Sequence, residues 1–136
     1  MRILIDTNII LDILLKREPF FESSYGALKQ AIINDIECLV SATAVTDIFY
    51  LLRKGLGGDT GQAKESLERL LQIVMVADVI DLDIHTALSD SIPDFEDSVV
   101  HAVAVRHQAE YIMTRNTKDF AGTVVPAITP QDFLKL

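Results

Sequence analysis

Cysteine occurs once in this chain, basic residues are outnumbered, and no hydrophobic run is long enough to span a bilayer. Each shortage removes a class of protein. With Cys38 alone, in the apolar segment ECLVS, no internal disulfide can form. That excludes a disulfide-stapled scaffold and points to a reducing, cytoplasmic setting, with Cys38 itself read as a small buried hydrophobe. Lys and Arg number 12 against 20 Asp and Glu, a formal charge of −8. Such a balance argues against coating nucleic acid through a broad basic face. It leaves room for meeting phosphates through bound cations, since two divalent ions, as in a two-metal site, would cancel about half of that excess. The opening MRILIDTNII places an aspartate inside its apolar stretch and has no small-residue cleavage site, so no signal peptide and no membrane contact are expected.

Familiar catalytic spacings are also missing. There is no His-x-x-x-His pair or Cys-x-x-Cys for zinc, no Gly-rich phosphate loop with a lysine, and no Gly-x-Ser-x-Gly elbow. Catalysis by a nucleophilic side chain has no support.

What remains is a chain of 136 residues, 49% hydrophobic and free of repeats or linkers, which suits one domain over 1–136. Short β-type runs fall at 2–5, 37–40, 76–80, 111–113 and 124–128. Helix-compatible stretches lie between them at 9–16, 22–34, 44–54, 60–73, 83–91, 96–108 and 130–135. The runs are apolar throughout instead of alternating, as in strands covered on both faces. The pattern predicts an α/β fold, a three-layer α/β/α sandwich around a mostly parallel sheet. KGLGGDTG at 54–61 reads as a helix-ending turn with Gly55 as its stop.

Acids punctuate this frame. Asp6 directly follows the first run and Thr114-Arg115-Asn116 closes the fourth, so both reach the sheet edge where open parallel sheets keep their functional crevice. Asp6 could instead cap the helix beginning IILDILL, and Asp47 could be a first-turn acid favoured by the dipole of its helix. Asp94, Glu96 and Asp97 crowd one helix start before the apolar SVVHAVAV, either as a solvated capping cluster or as ligands. Two carboxylates about 4 Å apart repel by roughly 4 kcal/mol at a partly screened surface, and a helix N-terminus offsets only about 0.3–1 kcal/mol per acid. Convergent carboxylates therefore favour a hard divalent cation. Asp119 is a turn acid or a ligand. Arg115 and Lys118 suit phosphate contact or a charge-balanced turn, with Arg53 and Lys54 as further basic candidates. Asp12, His85 and His107 read as exposed, and His101 as a buried or supporting residue one turn beyond Asp97.

The order DTN, an acid in the helix after the second strand, DFED before an apolar helix and TRNTKDF after a strand resembles the PIN domain, especially bacterial VapC-like ribonucleases. The resemblance covers essentially the whole chain. It implies an α/β/α sandwich that hydrolyses RNA phosphodiester bonds with Mg²⁺ (or Mn²⁺) held by Asp6, Asp47, Asp97 and Asp119. Asn116 stands where many relatives have aspartate, Asp47 where glutamate is common, and Thr114 becomes a supporting polar group. The likeness further implies a toxin of a toxin–antitoxin pair, silenced by a small antitoxin, forming a homodimer and leaving 5′-phosphates on its products.

Two rivals fit less of the chain. An aspartate-nucleophile phosphatase wants a second acid two residues after the first, where Asn8 stands, and a receiver domain wants an early acidic pair and a late strand-ending lysine. A catalytically inert RNA- or protein-binding module of the same fold is motivated by Asn116 and the negative charge.

Overall fold

A computed structural model describes residues 1–136. Its sheet has five strands, β1 (Arg2–Ile5), β2 (Glu37–Ser41), β3 (Met75–Ala77), β4 (Tyr111–Met113) and β5 (Ala127–Ile128). All pairings are parallel and the order is β3-β2-β1-β4-β5. The expected mostly parallel sheet is thus wholly parallel. The first strand sits in the middle, with Leu4 opposite Leu39 on one side and Ile112 on the other.

Alternate residues of β1 feed different cores. Ile3 and Ile5 join Ile9, Ile10, Ile48, Leu52 and Met113 on one face. That layer contains α1 (Thr7–Leu14), α2 (Phe21–Ile33), α3 (Ala42–Gly55), α4 (Thr60–Leu70) and the short α7 (Pro130–Phe133). Leu4 packs on the opposite face with Leu39, Val99, Val103, Ile112 and Phe120, under α5 (Asp81–Ser89) and α6 (Phe95–Arg106). Both faces of the strand are dry, which explains its unbroken hydrophobicity.

Three local expectations shift. The third strand starts at Met75 and ends before Asp78, whose carboxylate is drawn to Arg106 and His107, both at 2.7–2.8 Å. The fifth strand shortens to Ala127–Ile128, leaving Val124 81% exposed, with Pro126 unable to donate to a ladder. Helix α3 runs through Gly55, and the chain instead turns at Gly57 and Gly58, with φ of +70° and +85°. Gly55 answers a packing demand, because a Cβ there would lie 2.7 Å from Leu15 Cδ2.

Two polar residues also depart from expectation. His107 is half-buried, with Nε2 2.8 Å from Asp78 Oδ1. Asp12 is fully buried, because distant cations reach it: Arg115 Nε donates to Oδ2 at 2.8 Å and Nη2 to Oδ1 at 3.3 Å. Arg17 Nε stands 3.4 Å from Oδ1 on the other side. A buried carboxylate requires such pairing.

Candidate functional site

Parallel strands deliver their C-terminal residues to one edge, and this edge gathers the acids. Asp6 leaves β1 with its backbone N–H bonded to Met113 O at 2.9 Å, which ties the ends of β1 and β4 together. Its side chain does two jobs. Oδ1 accepts the Thr7 N–H at 2.8 Å and so caps α1, while Oδ2 accepts the Thr114 hydroxyl at 2.8 Å. Thr114 is fully buried behind Asp6, and its Oγ1 also accepts the Asn116 N–H at 3.1 Å. Asn116 Nδ2 then donates to Asp119 Oδ2 at 2.7 Å, on the short 3₁₀ turn Thr117–Phe120. One chain of hydrogen bonds therefore runs from Asp6 to Asp119.

The opposite wall is the start of α6. Asp94 caps it, accepting the Asp97 N–H at 3.0 Å. Between the walls lies a cleft of about 420 Å³, lined by Asp6, Asn8, Arg17, Asp94, Glu96, Asp97, Asn116 and Asp119 among others. Asp47 is outside this lining. It borders an adjoining hollow and touches Glu96, so it joins the acids at one remove. Lys118 lines a neighbouring cavity that shares Asp119, and His101 turns the same way, its Nε2 accepting the Val125 N–H at 3.2 Å.

Electrostatics mark the cluster as only partly compensated, the Arg115 charge acting on Asp6 from outside the cleft. Burial raises the Asp6 carboxyl above its ordinary range, opposed by the bonds from Thr114 and Thr7. Asp97 is pushed up to about 7, first by burial and then by the touching Asp119 carboxylate and the charges of Asp94 and Asp6. Glu96 is raised chiefly by its contact with Asp47. No Lys or Arg nitrogen comes within 4.0 Å of any of these carboxylates.

The donor set fits a hard divalent cation: oxygen ligands only, in touching pairs, with no base between them. Asn8 Oδ1 strengthens the fit, since it is shielded from solvent and has no hydrogen-bond partner. As the side chains stand no three acids close on a single point, so pairs of carboxylates are the unit, not a finished cage.

One sequence expectation is corrected here. Arg115 does not face the cleft: its guanidinium is engaged by Asp12 and lies 3.9 Å over the Phe20 ring. Two lining residues were missed. Asn8 offered a signal, standing two residues after Asp6, but was read as the place where a second acid is missing. Arg17 offered none.

Fold and cleft together define a class: a parallel α/β/α sandwich with a carboxylate-lined crevice at the strand ends. Comparison with known proteins names it. A family model of the PIN domain matches residues 2–118, and the chain belongs to the PIN-domain family. Ribonuclease VapC1 of Aquifex aeolicus is 21% identical over 140 residues, covering 97% of this chain and 92% of the relative. Among solved structures, VapBC2 of Rickettsia felis, bound to a DNA fragment from its promoter, superposes with a TM-score of 0.72 at 17% identity, covering 95% of this chain and 98% of that one. The Mycobacterium tuberculosis toxin VapC20, which cleaves the sarcin–ricin loop, gives 0.67 at 16% identity, covering 90% and 96%. A toxin–antitoxin complex from Klebsiella pneumoniae gives 0.69 at 21%, covering 93% and 96%.

Proposed function

We propose that this protein is an endoribonuclease that hydrolyses RNA phosphodiester bonds with Mg²⁺ or Mn²⁺, and acts as the toxin of a toxin–antitoxin pair. The observation that carries the reading is the cleft that gathers Asp6, Asp94, Glu96, Asp97 and Asp119, with no Lys or Arg nitrogen within 4.0 Å of their carboxylates. Asp6, Asp97 and Asp119 would hold the cation, with Asn8 Oδ1 as a neutral donor and Asp47, Asp94 and Glu96 as surrounding acids. When bound, the ion would supply charge neutralisation at the phosphate and a lowered pKa for the attacking water.

The protein's own residues prepare that step. Thr114 donates to Asp6 Oδ2 and so opposes the rise that burial imposes on this carboxyl, and Asn116 orients Asp119 from the same turn. In the reaction a water oxygen bonds to phosphorus while the P–O3′ bond breaks. One water proton goes to the departing 3′ oxygen, leaving a 3′-hydroxyl and a 5′-phosphate. The test replaces Asp6 or Asp97 by Asn and follows RNA cleavage in Mg²⁺ or Mn²⁺. Both variants are expected to lose it, and undiminished cleavage by both ends the assignment.

The partners follow from the relatives. Several are toxin–antitoxin assemblies, and this chain carries an apolar groove of about 400 Å³ lined by Ile13, Leu14, Tyr25, Leu28, Ile32 and Leu70. That groove suits the apolar face of an antitoxin segment. A homodimer and a cytoplasmic location belong to the same reading, and no helix is long and apolar enough to cross a membrane. An inert binding module is the second reading, favoured by the neutral Asn116. It predicts no change of melting temperature in millimolar Mg²⁺ or Mn²⁺, whereas the nuclease predicts a rise.

A further inference from the structure

An acidic cleft that admits RNA must also hold a polyanion, and cations on its wall are the direct means. Resting on the ribonuclease reading, the question becomes which side chain grips the strand. Arg115 is committed to Asp12 and Phe20. Lys118 stands in the neighbouring cavity, and Arg53 Nε donates to Thr60 Oγ1 at 3.0 Å. Arg17 is the only basic residue in the lining of the cleft.

Its setting is unusual for a structural arginine. Nε approaches buried Asp12 at 3.4 Å, an ion-pair distance without hydrogen-bond alignment. Nε and Nη2 are shielded from solvent and make no hydrogen bond. The side chain is nevertheless 40% exposed, so Nη1 is the nitrogen that a ligand in the cleft can reach. Asp12 meanwhile bonds fully to Arg115, which leaves the second guanidinium held by charge with its donors unspent.

We propose that Arg17 is the substrate-binding cation of this cleft, with Asp12 as its anchor, donating from its guanidinium to a phosphate of the RNA strand beside the carboxylates. A guanidinium can face Asp12 through Nε and a phosphate through Nη1 at once, which the single ammonium of a lysine cannot do.

The experiment uses the full-length chain and a fluorescein-labelled single-stranded RNA of mixed sequence. Binding is measured by anisotropy across a KCl series in an Asp6→Asn background, so that the strand stays intact. Cleavage kinetics are measured with Asp6 in place. Arg17→Gln is expected to weaken binding about tenfold and to lower the slope of log affinity against log salt by about 0.7, the share of one phosphate contact on a single strand. In cleavage it raises KM more than it lowers kcat. Arg17→Lys is expected to keep the salt slope while recovering only part of the affinity, and it replaces the glutamine variant if that one fails to fold. Arg115→Gln is expected to lower thermal stability without changing the slope. Unchanged affinity and slope in Arg17→Gln, with only a lower melting temperature, would overturn the proposal and leave Arg17 as a partner of Asp12. A native chain that binds RNA with the Arg17-dependent slope but never cuts it would sink the ribonuclease reading and spare this one. A chain that neither binds nor cuts sinks both.

Discussion

Replacing Asp12 by Asn removes a charge that two arginines surround, while keeping the side chain's shape. Asp12 has no solvent exposure, whereas Arg115 and Arg17 keep 33% and 40% of theirs. Removing one member of a fully buried pair costs about 3–5 kcal/mol, because the other charge is left without compensation. Here the two guanidinium groups recover part of their hydration, so the expected loss is about 2–3 kcal/mol. With a urea slope of roughly 1.5 kcal/mol per molar, that lowers the unfolding midpoint by about 1.3–2 M. Arg115→Gln alone should lose less, and the double variant should show a coupling of at least about 1 kcal/mol. Arg115 lies between Thr114 and Asn116, so Asp12→Asn should also blunt the stabilisation by Mg²⁺. A midpoint shift of less than about 0.3 M, the scale of a surface substitution, would refute the clamp.

Thr114→Val deletes the hydroxyl that donates to Asp6 at 2.8 Å and should destabilise by about 2 kcal/mol while weakening Mg²⁺ binding, with Thr114→Ser close to native. Titration calorimetry checks this, and equal Mg²⁺ affinity in the valine variant would contradict it. A second prediction follows from Asp97, whose pKa rises from 3.8 in the unfolded chain to about 7. The metal-free fold binds the extra proton between those values, so its stability should fall as pH rises from about 4 to 7 and then level. Burial lowers the His101 pKa and works in the opposite direction, so the readout is the difference between the native chain and Asp97→Asn. Mg²⁺ affinity should rise through the same window as the proton is displaced. Identical pH profiles in the two proteins would remove the argument.

The strands were legible because each is an apolar run with dry neighbours on both faces, and the sheet edge holding Asp6 and Thr114 followed from that. β3 was misplaced because VADVI reads as one apolar stretch, while Asp78 is held by Arg106 and His107 about thirty residues away. Asp12 was misjudged for the same reason. Its helix neighbours are apolar in no way that reveals burial, and its partner Arg115 is 103 residues distant. Local spacing encodes caps and periodicity, and it cannot encode an ion pair closed by topology. Arg17 escaped notice because it lies past the end of α1, where no motif marks it.

The hydrogen bond from Thr114 to Asp6 joins residues 108 positions apart, and the wall completed by Asp119 lies later still. A growing polypeptide therefore has no crevice until most of its length has left the ribosome. Prematurely terminated products that stop before the fourth strand retain the opening DTN but lack Thr114, Asn116 and Asp119, so one wall of the crevice is never built.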